Sequence, residues 1–256
     1  MGQALLFFFA FIVTGCKGNV SVWNNQQSNF IAASPFPATI NDILPPENFK
    51  RVTAPRDSFG AWLRDIALKK DRHVYLYNGA LKRNQQAQFA VLDKPVGKKD
   101  LQQCADAVMR LRAEYLFSCK RYEEIIFRDN NNTAYRWKGD SDVNGFERYL
   151  QTVFGMCGTA SLQKQLKPVS DPHDIYPGDV FIKGGFPGHA MIVVDVAANG
   201  EGEKIFMLAQ SYMPAQDIHI VKNPLDSKLS PWYRINGQTK VVTPEWTFDL
   251  SQLYRF

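Results

Sequence analysis

The sequence runs Pro187-Gly188-His189-Ala190-Met191-Ile192-Val193-Val194-Asp195-Val196, then Asn199-Gly200-Glu201-Gly202, then Ile205-Phe206-Met207-Leu208-Ala209-Gln210-Ser211-Tyr212. Two apolar runs of strand length around an Asn/Gly loop predict an antiparallel hairpin. With the loop centred near Gly200, facing residues have numbers summing to about 400, so His189 falls opposite position 211. Gln210 or Ser211 then lies within about 5 Å of it across the pair. Asp195 is the rival partner for the imidazole, but it sits six residues along the same strand, about 20 Å away at strand rise. Gln210 is therefore the expected partner of His189, its amide oxygen accepting the ring N–H and setting the tautomer.

Working outward, 179–183 and 218–222 read as further strands, which gives the C-terminal half an antiparallel sheet. Upstream, Phe59, Trp62, Leu63 and Ile66 have helical spacing, with Asp57 or Ser58 as N-cap. Residues 73–77 and 88–92 look like strands, and Asn78-Gly79 marks a turn after the first. Asp100 is the expected cap of a helix whose apolar stripe is Leu101, Cys104, Val108, Leu111 and Tyr115, so Cys104 reads as a core residue. A second hairpin is expected around Asp129-Asn130-Asn131-Asn132, followed by helices at 146–154 and 158–166. A helix-rich N-terminal half ahead of antiparallel strands is an α+β chain.

The 256 residues are 45% hydrophobic and 21% charged, which excludes a wholly disordered or fibrous chain. The net charge of +5 comes from Lys and Arg interspersed with acids, and no aromatic-basic stripe runs along the strands, so nucleic acid is not an expected partner. Residues 1–15 carry no charge and contain the apolar run from Ala4 to Val13, the length of a signal-peptide core and too short for a membrane span. Val13-Thr14-Gly15-Cys16 resembles the lipobox of bacterial lipoproteins, although no Lys or Arg precedes the run. The resemblance implies cleavage before Cys16, acylation of its thiol and a membrane anchor in the cell envelope. Residues 16–50, rich in Asn and Pro, read as a flexible tether to one globular domain at 51–256.

Acylation of Cys16 leaves Cys104, Cys119 and Cys157, an odd number, so at least one thiol stays free. Cys104 and Cys119 are fifteen residues apart in one expected helix, about 22 Å along its axis, and cannot bridge. No Cys and His have metal-ligand spacing, so neither a metal nor another cofactor is expected. His73, His173 and His219 read as surface or strand-edge residues, and Asp179 as a brace for the turn into its strand.

Cys157 before a short helix, Pro177-Gly178-Asp179-Val180-Phe181-Ile182, and Pro187-Gly188-His189-Ala190 together resemble the layout of papain-like amidases of the NlpC and CHAP types. The chemistry needs a thiolate beside a helix N-terminus, an imidazole base, and a third polar group to orient the ring. The resemblance implies Cys157 as nucleophile, His189 as base and then acid, and Gln210 as the orienting group. Ser161 and Thr159, near the same helix start, are the alternative nucleophiles. The body as a whole resembles the bacterial family known as domain of unknown function 4846. Asp100-Leu101-Gln102-Gln103-Cys104-Ala105-Asp106, Val74-Tyr75-Leu76-Tyr77-Asn78-Gly79 and Leu208-Ala209-Gln210-Ser211-Tyr212-Met213-Pro214-Ala215-Gln216 carry that likeness. The expected function is an exported, lipid-anchored amide-bond hydrolase acting on cell-wall peptide. The alternative is a non-catalytic lipoprotein that binds a peptide, glycan or protein in the same cleft.

Overall fold

The computed structural model describes residues 36–256. The leader at 1–15, the acylation site Cys16 and the first part of the tether lie outside the described residues. In chain order the named elements are β1 (Lys50–Arg51), α1 (Phe59–Arg64), β2 (Gln88–Val91), α2 (Cys104–Ser118), β3 (Ile126–Arg128), β4 (Ala134–Arg136), α3 (Val143–Met156) and α4 (Thr159–Gln163). They are followed by β5 (Lys167–Pro168), β6 (Val180–Lys183), β7 (His189–Ala198), β8 (Lys204–Gln210), β9 (His219–Val221), β10 (Trp232–Arg234), β11 (Lys240–Val242), β12 (Thr247–Asp249) and β13 (Leu253–Arg255). The class is mixed helix and antiparallel sheet. Helices are few, however, and the expectation of a helix-rich N-terminal half does not hold: only α1 and α2 lie there among the described residues.

The main sheet runs β2-β9-β8-β7-β6-β13-β5, with β1 added to β7 and β10 to β8, and every pairing is antiparallel. Its centre is the hairpin of β7 and β8. Ile192 faces Ala209, and an irregularity between Val193 and Asp195 shifts the register so that Asp195 faces Met207. The unbroken apolar run of β7 follows from its position, since the sheet is buried on both faces. Ala190, Ile192 and Val194 pack with the helices, while Met191, Val193 and Val196 pack with Phe206, Val241 and Phe248 on the other side.

Helix α2 lies against β7 and β8. Ala105 to Leu111 are buried at every position, including Asp106 and Arg110, so this half of the helix is enclosed on all sides rather than along one stripe. It also starts later than its apolar pattern suggests. Asp106 Oδ2 accepts the Gln103 backbone N–H at 2.9 Å, and this cap makes Cys104 the first helical residue. Asp100 is used elsewhere: its Oδ1 accepts the Ala215 backbone N–H at 2.7 Å, tying the turn before α2 to the segment after β8.

Residues from about 38 onward belong to the body and not to a tether. Ile40 is fully buried, Leu68 donates its backbone N–H to Ala38 O at 2.8 Å, and β1 pairs with the C-terminal end of β7. Ile40 and Ile43 are too isolated for any periodicity to reveal them. The same segment delivers Arg51 to Asp195. Fully buried Asp195 binds Arg51 Nε at 2.5 Å and Arg64 Nε at 2.7 Å, which removes it from the reach of His189 as expected. Asp195→Ala leaves two partly buried guanidinium groups without their carboxylate, a change that costs about 3–5 kcal/mol. Urea unfolding should show a lowered midpoint of that size with an unchanged slope.

Candidate functional site

The N-terminal end of β7, the C-terminal end of β8 and the first turn of α2 meet around a cavity of about 400 Å³. Cys104, Ala105, Thr159, His189, Tyr212 and Trp246 are among the residues lining it. Gly188 is required where the chain turns into β7, because a Cβ there would sit 2.4 Å from Gly185 O and 2.7 Å from Thr159 Oγ1.

His189 is buried, and its Nε2 lies 2.7 Å from Gln210 Oε1, the pairing expected from the hairpin arithmetic. Behind it stands a chain of polar groups whose directions are fixed one by one. The Asp217 carbonyl can only accept, so His219 Nδ1, 2.9 Å away, carries a hydrogen. His219 Nε2 is then the acceptor for the Gln210 amide nitrogen at 3.3 Å. The same amide donates to Glu245 Oε2 at 2.8 Å, and Lys82 Nζ donates to that oxygen at 2.5 Å. With both amide hydrogens directed that way, Gln210 Oε1 faces His189 and accepts its Nε2–H. His189 Nδ1 is thereby left unprotonated as the base. It has no hydrogen-bond partner among the described residues.

The surroundings keep the ring neutral. Tyr212, Trp246 and Phe248 stand 4.7, 5.2 and 5.9 Å from it, centroid to centroid. Burial pushes the His189 pKa down to about 4, against the Gln210 hydrogen bond and with help from the Lys82 charge. His219, expected at a surface or strand edge, is instead fully buried, and burial lowers it to about 3.

The two cysteines exchange the places read from the sequence. Cys157 packs in the main hydrophobic core and is absent from the cavity wall; burial first, then the nearby Asp129 and Asp106 charges, raise its thiol to about 11. Cys104 is the half-buried thiol on that wall, at the N-terminus of a 15-residue helix. Burial, with the Asp106 charge, raises its thiol to about 11, outweighing the backbone amides of Ala190, Ala105 and Cys104 itself, which favour the thiolate. The Ala190 amide belongs to the residue after His189, so the sulfur sits beside the imidazole's own strand end.

Of the alternative nucleophiles, Thr159 lines the cavity with its hydroxyl donating to Gly185 O at 3.3 Å, and no base addresses it. Ser161 is buried in the cap of α4, where its Oγ accepts Gly158 N–H at 3.0 Å. Trp246 Nε1 is a buried donor in the wall without a partner among the described residues. Asp179 is held by Arg255 at 2.6 and 2.7 Å and braces the turn before β6, as expected. His73 and His173 are exposed. Among the described residues no group of three or more His, Cys, Asp or Glu is placed to hold a metal ion.

The place of Cys104 at the helix start carries little sequence signal, because Asp106 caps the helix from its third position and the N-cap itself is Gln. Lys82 and Glu245 carry no local signal, because they meet only through tertiary contacts. Gln210→Ala tests the chain of donors. Nitrogen NMR should then show His189 losing its single Nε2–H tautomer, and any turnover falling on the order of 10²-fold, the low end of what a positioned base contributes. An unchanged tautomer would mean that Gln210 does not orient the ring.

No curated protein and no solved structure matches the chain. One family model does, over residues 40–140 and 129–255, which together span most of the sequence. By that match the chain belongs to the family described as Domain of unknown function (4846).

Proposed function

We propose that this protein is a cysteine-type hydrolase of amide bonds with a papain-like core, in which Cys104 attacks, His189 acts as base and then acid, and Gln210 orients the ring. The observation that carries the reading is the shared cavity: the thiol at the start of α2 and an imidazole with a free Nδ1 line one pocket. Both groups are neutral at rest, so the thiol proton passes to Nδ1 as the sulfur bonds to the carbonyl carbon. The C–N bond then breaks, the departing amine takes the proton from His189, and water hydrolyses the thioester. Backbone N–H groups at the start of α2, which lines the cavity, would donate to the developing oxyanion.

The Val13-Thr14-Gly15-Cys16 motif supports export and a lipid anchor at Cys16, which makes peptide in the cell wall the proposed substrate. Incubation of the full chain with purified peptidoglycan should release peptide, and His189→Ala should not. Absence of release from peptidoglycan and from a panel of peptide amides alike would refute the hydrolase. A second reading, a binding protein using the same cavity, is favoured by one observation: burial opposes a preformed thiolate–imidazolium pair. Retained affinity for peptidoglycan peptides without any release would establish that alternative.

A further inference from the structure

A larger cleft of about 670 Å³ lies elsewhere on the molecule. Leu116, Phe127, Leu162 and Phe256 provide apolar walls, and Arg112, Arg128 and Lys164 provide cations. Helix α4 contributes to both hollows: Thr159 belongs to the cavity, whereas Ser161 and Leu162, with Lys164 just past the helix end, belong to the cleft. Arg112 follows Cys104 by eight residues on α2, about 12 Å along the axis.

We propose that this cleft binds an oxyanion, a carboxylate or a phosphate, carried on an organic body, with Arg112 as its receptor. The guanidinium is held by three aromatic rings, Phe59, Tyr115 and Phe256, at 5.3, 5.4 and 5.1 Å from their centroids. Such packing fixes the planar group without using its N–H donors. Arg112 makes no hydrogen bond or ion pair among the described residues, although a half-buried charge ordinarily has a partner.

The acids nearby are already engaged. Glu124 is gripped by Arg121 through Nε and Nη2, both at 2.5 Å. Asp129 is taken up by the backbone N–H groups of Asn131 and Thr133, each at 2.9 Å, and by the Tyr135 hydroxyl at 3.2 Å. Arg128 is committed to Asn132 O at 3.1 Å. Glu124 and Asp129 line the cleft with them, but Arg112, Arg128 and exposed Lys164 have no ion-pair partner among the described residues, and of the two guanidinium groups only that of Arg112 has all its donors free. A fork of donors beside a flexible ammonium, above apolar walls, suits a charged group on an apolar stem.

The test follows the Arg112 Nε–Hε resonance during titration with inorganic phosphate, N-acetylglutamate and the neutral N-acetylglutamine. A saturable shift with N-acetylglutamate and none with N-acetylglutamine supports a carboxylate ligand; saturation by phosphate alone supports a phosphate. Lys164→Gln, at an exposed position, should weaken whichever anion binds several-fold with the fold intact. Arg112→Lys keeps the charge and the aromatic contact but loses the fork, and should weaken it further. No saturable shift with either anion, or equal shifts with N-acetylglutamate and N-acetylglutamine, would overturn the proposal.

Discussion

Cys104→Ala is expected to remove peptide release altogether, a fall of about 10³-fold or more that corresponds to at least about 4 kcal/mol of transition-state stabilisation. Cys157→Ala should leave the rate within about twofold, because Cys157 is a packing residue; its cost is about 1 kcal/mol of stability. The pair separates two thiols of similar burial-raised pKa by position alone, since one faces the cavity and the other faces the core. His189→Ala should match Cys104→Ala, and the double variant should be no worse than either single one, as residues acting as a unit are not additive. A rate lost in Cys157→Ala and kept in Cys104→Ala would restore the assignment read from the sequence.

The second large effect is on stability against pH. Burial holds His189 at about 4 and His219 at about 3, whereas both imidazoles take up a proton near 6.5 in the unfolded chain. The unfolded chain therefore binds more protons below pH 6.5, and this contribution to stability is lost as pH falls from 6.5 towards 4. Each unit of difference is about 1.4 kcal/mol per group, so the two imidazoles together account for several kcal/mol. Asp106 and Asp179 work in the opposite direction, because burial raises both carboxyls and the folded chain holds their protons longer as pH rises. His219→Asn isolates one imidazole: the slope of unfolding free energy against pH between 6.5 and 4 should flatten by close to one proton. An unchanged slope would mean that His219 is already charged in the folded protein.

The part of the site that was legible before the structure is the part whose contacts are local. His189 and Gln210 are joined by one hairpin whose loop brings them close, and the facing numbers sum to 402 near the loop and to 401 beyond the irregularity, not to 400, which puts Gln210 on the same face as His189. Asp195 was excluded by distance along a strand, and the structure supplies its actual partners, Arg51 and Arg64. The positions of the two thiols, Cys104 on the cavity wall and Cys157 in the core, were not legible because a period of 3.6 reports which residues share a face and says nothing about where a helix begins. Asp106 sets that beginning, and an N-cap of Gln gives no warning of it. Lys82, His219 and Glu245 come from three separate segments, so their convergence behind Gln210 had no signature in the chain order. Ile40 and Ile43 were hidden for a related reason, two apolar residues in a Pro-rich segment whose partners lie on α1 and the sheet.

In the proposed reaction Cys104 is the reactive thiol and His189 makes it so. The most direct test is mass-spectrometric mapping of the adduct formed by an electrophilic peptide, such as a peptidyl chloromethyl ketone, on the full chain and on His189→Ala. Exposed Cys119 serves as an internal reference for an ordinary thiol. Cys104 should be alkylated faster than Cys119 by the peptidyl reagent, and this advantage should disappear in His189→Ala. Labelling of Cys104 no faster than Cys119, or preferential labelling of Cys157, would contradict it.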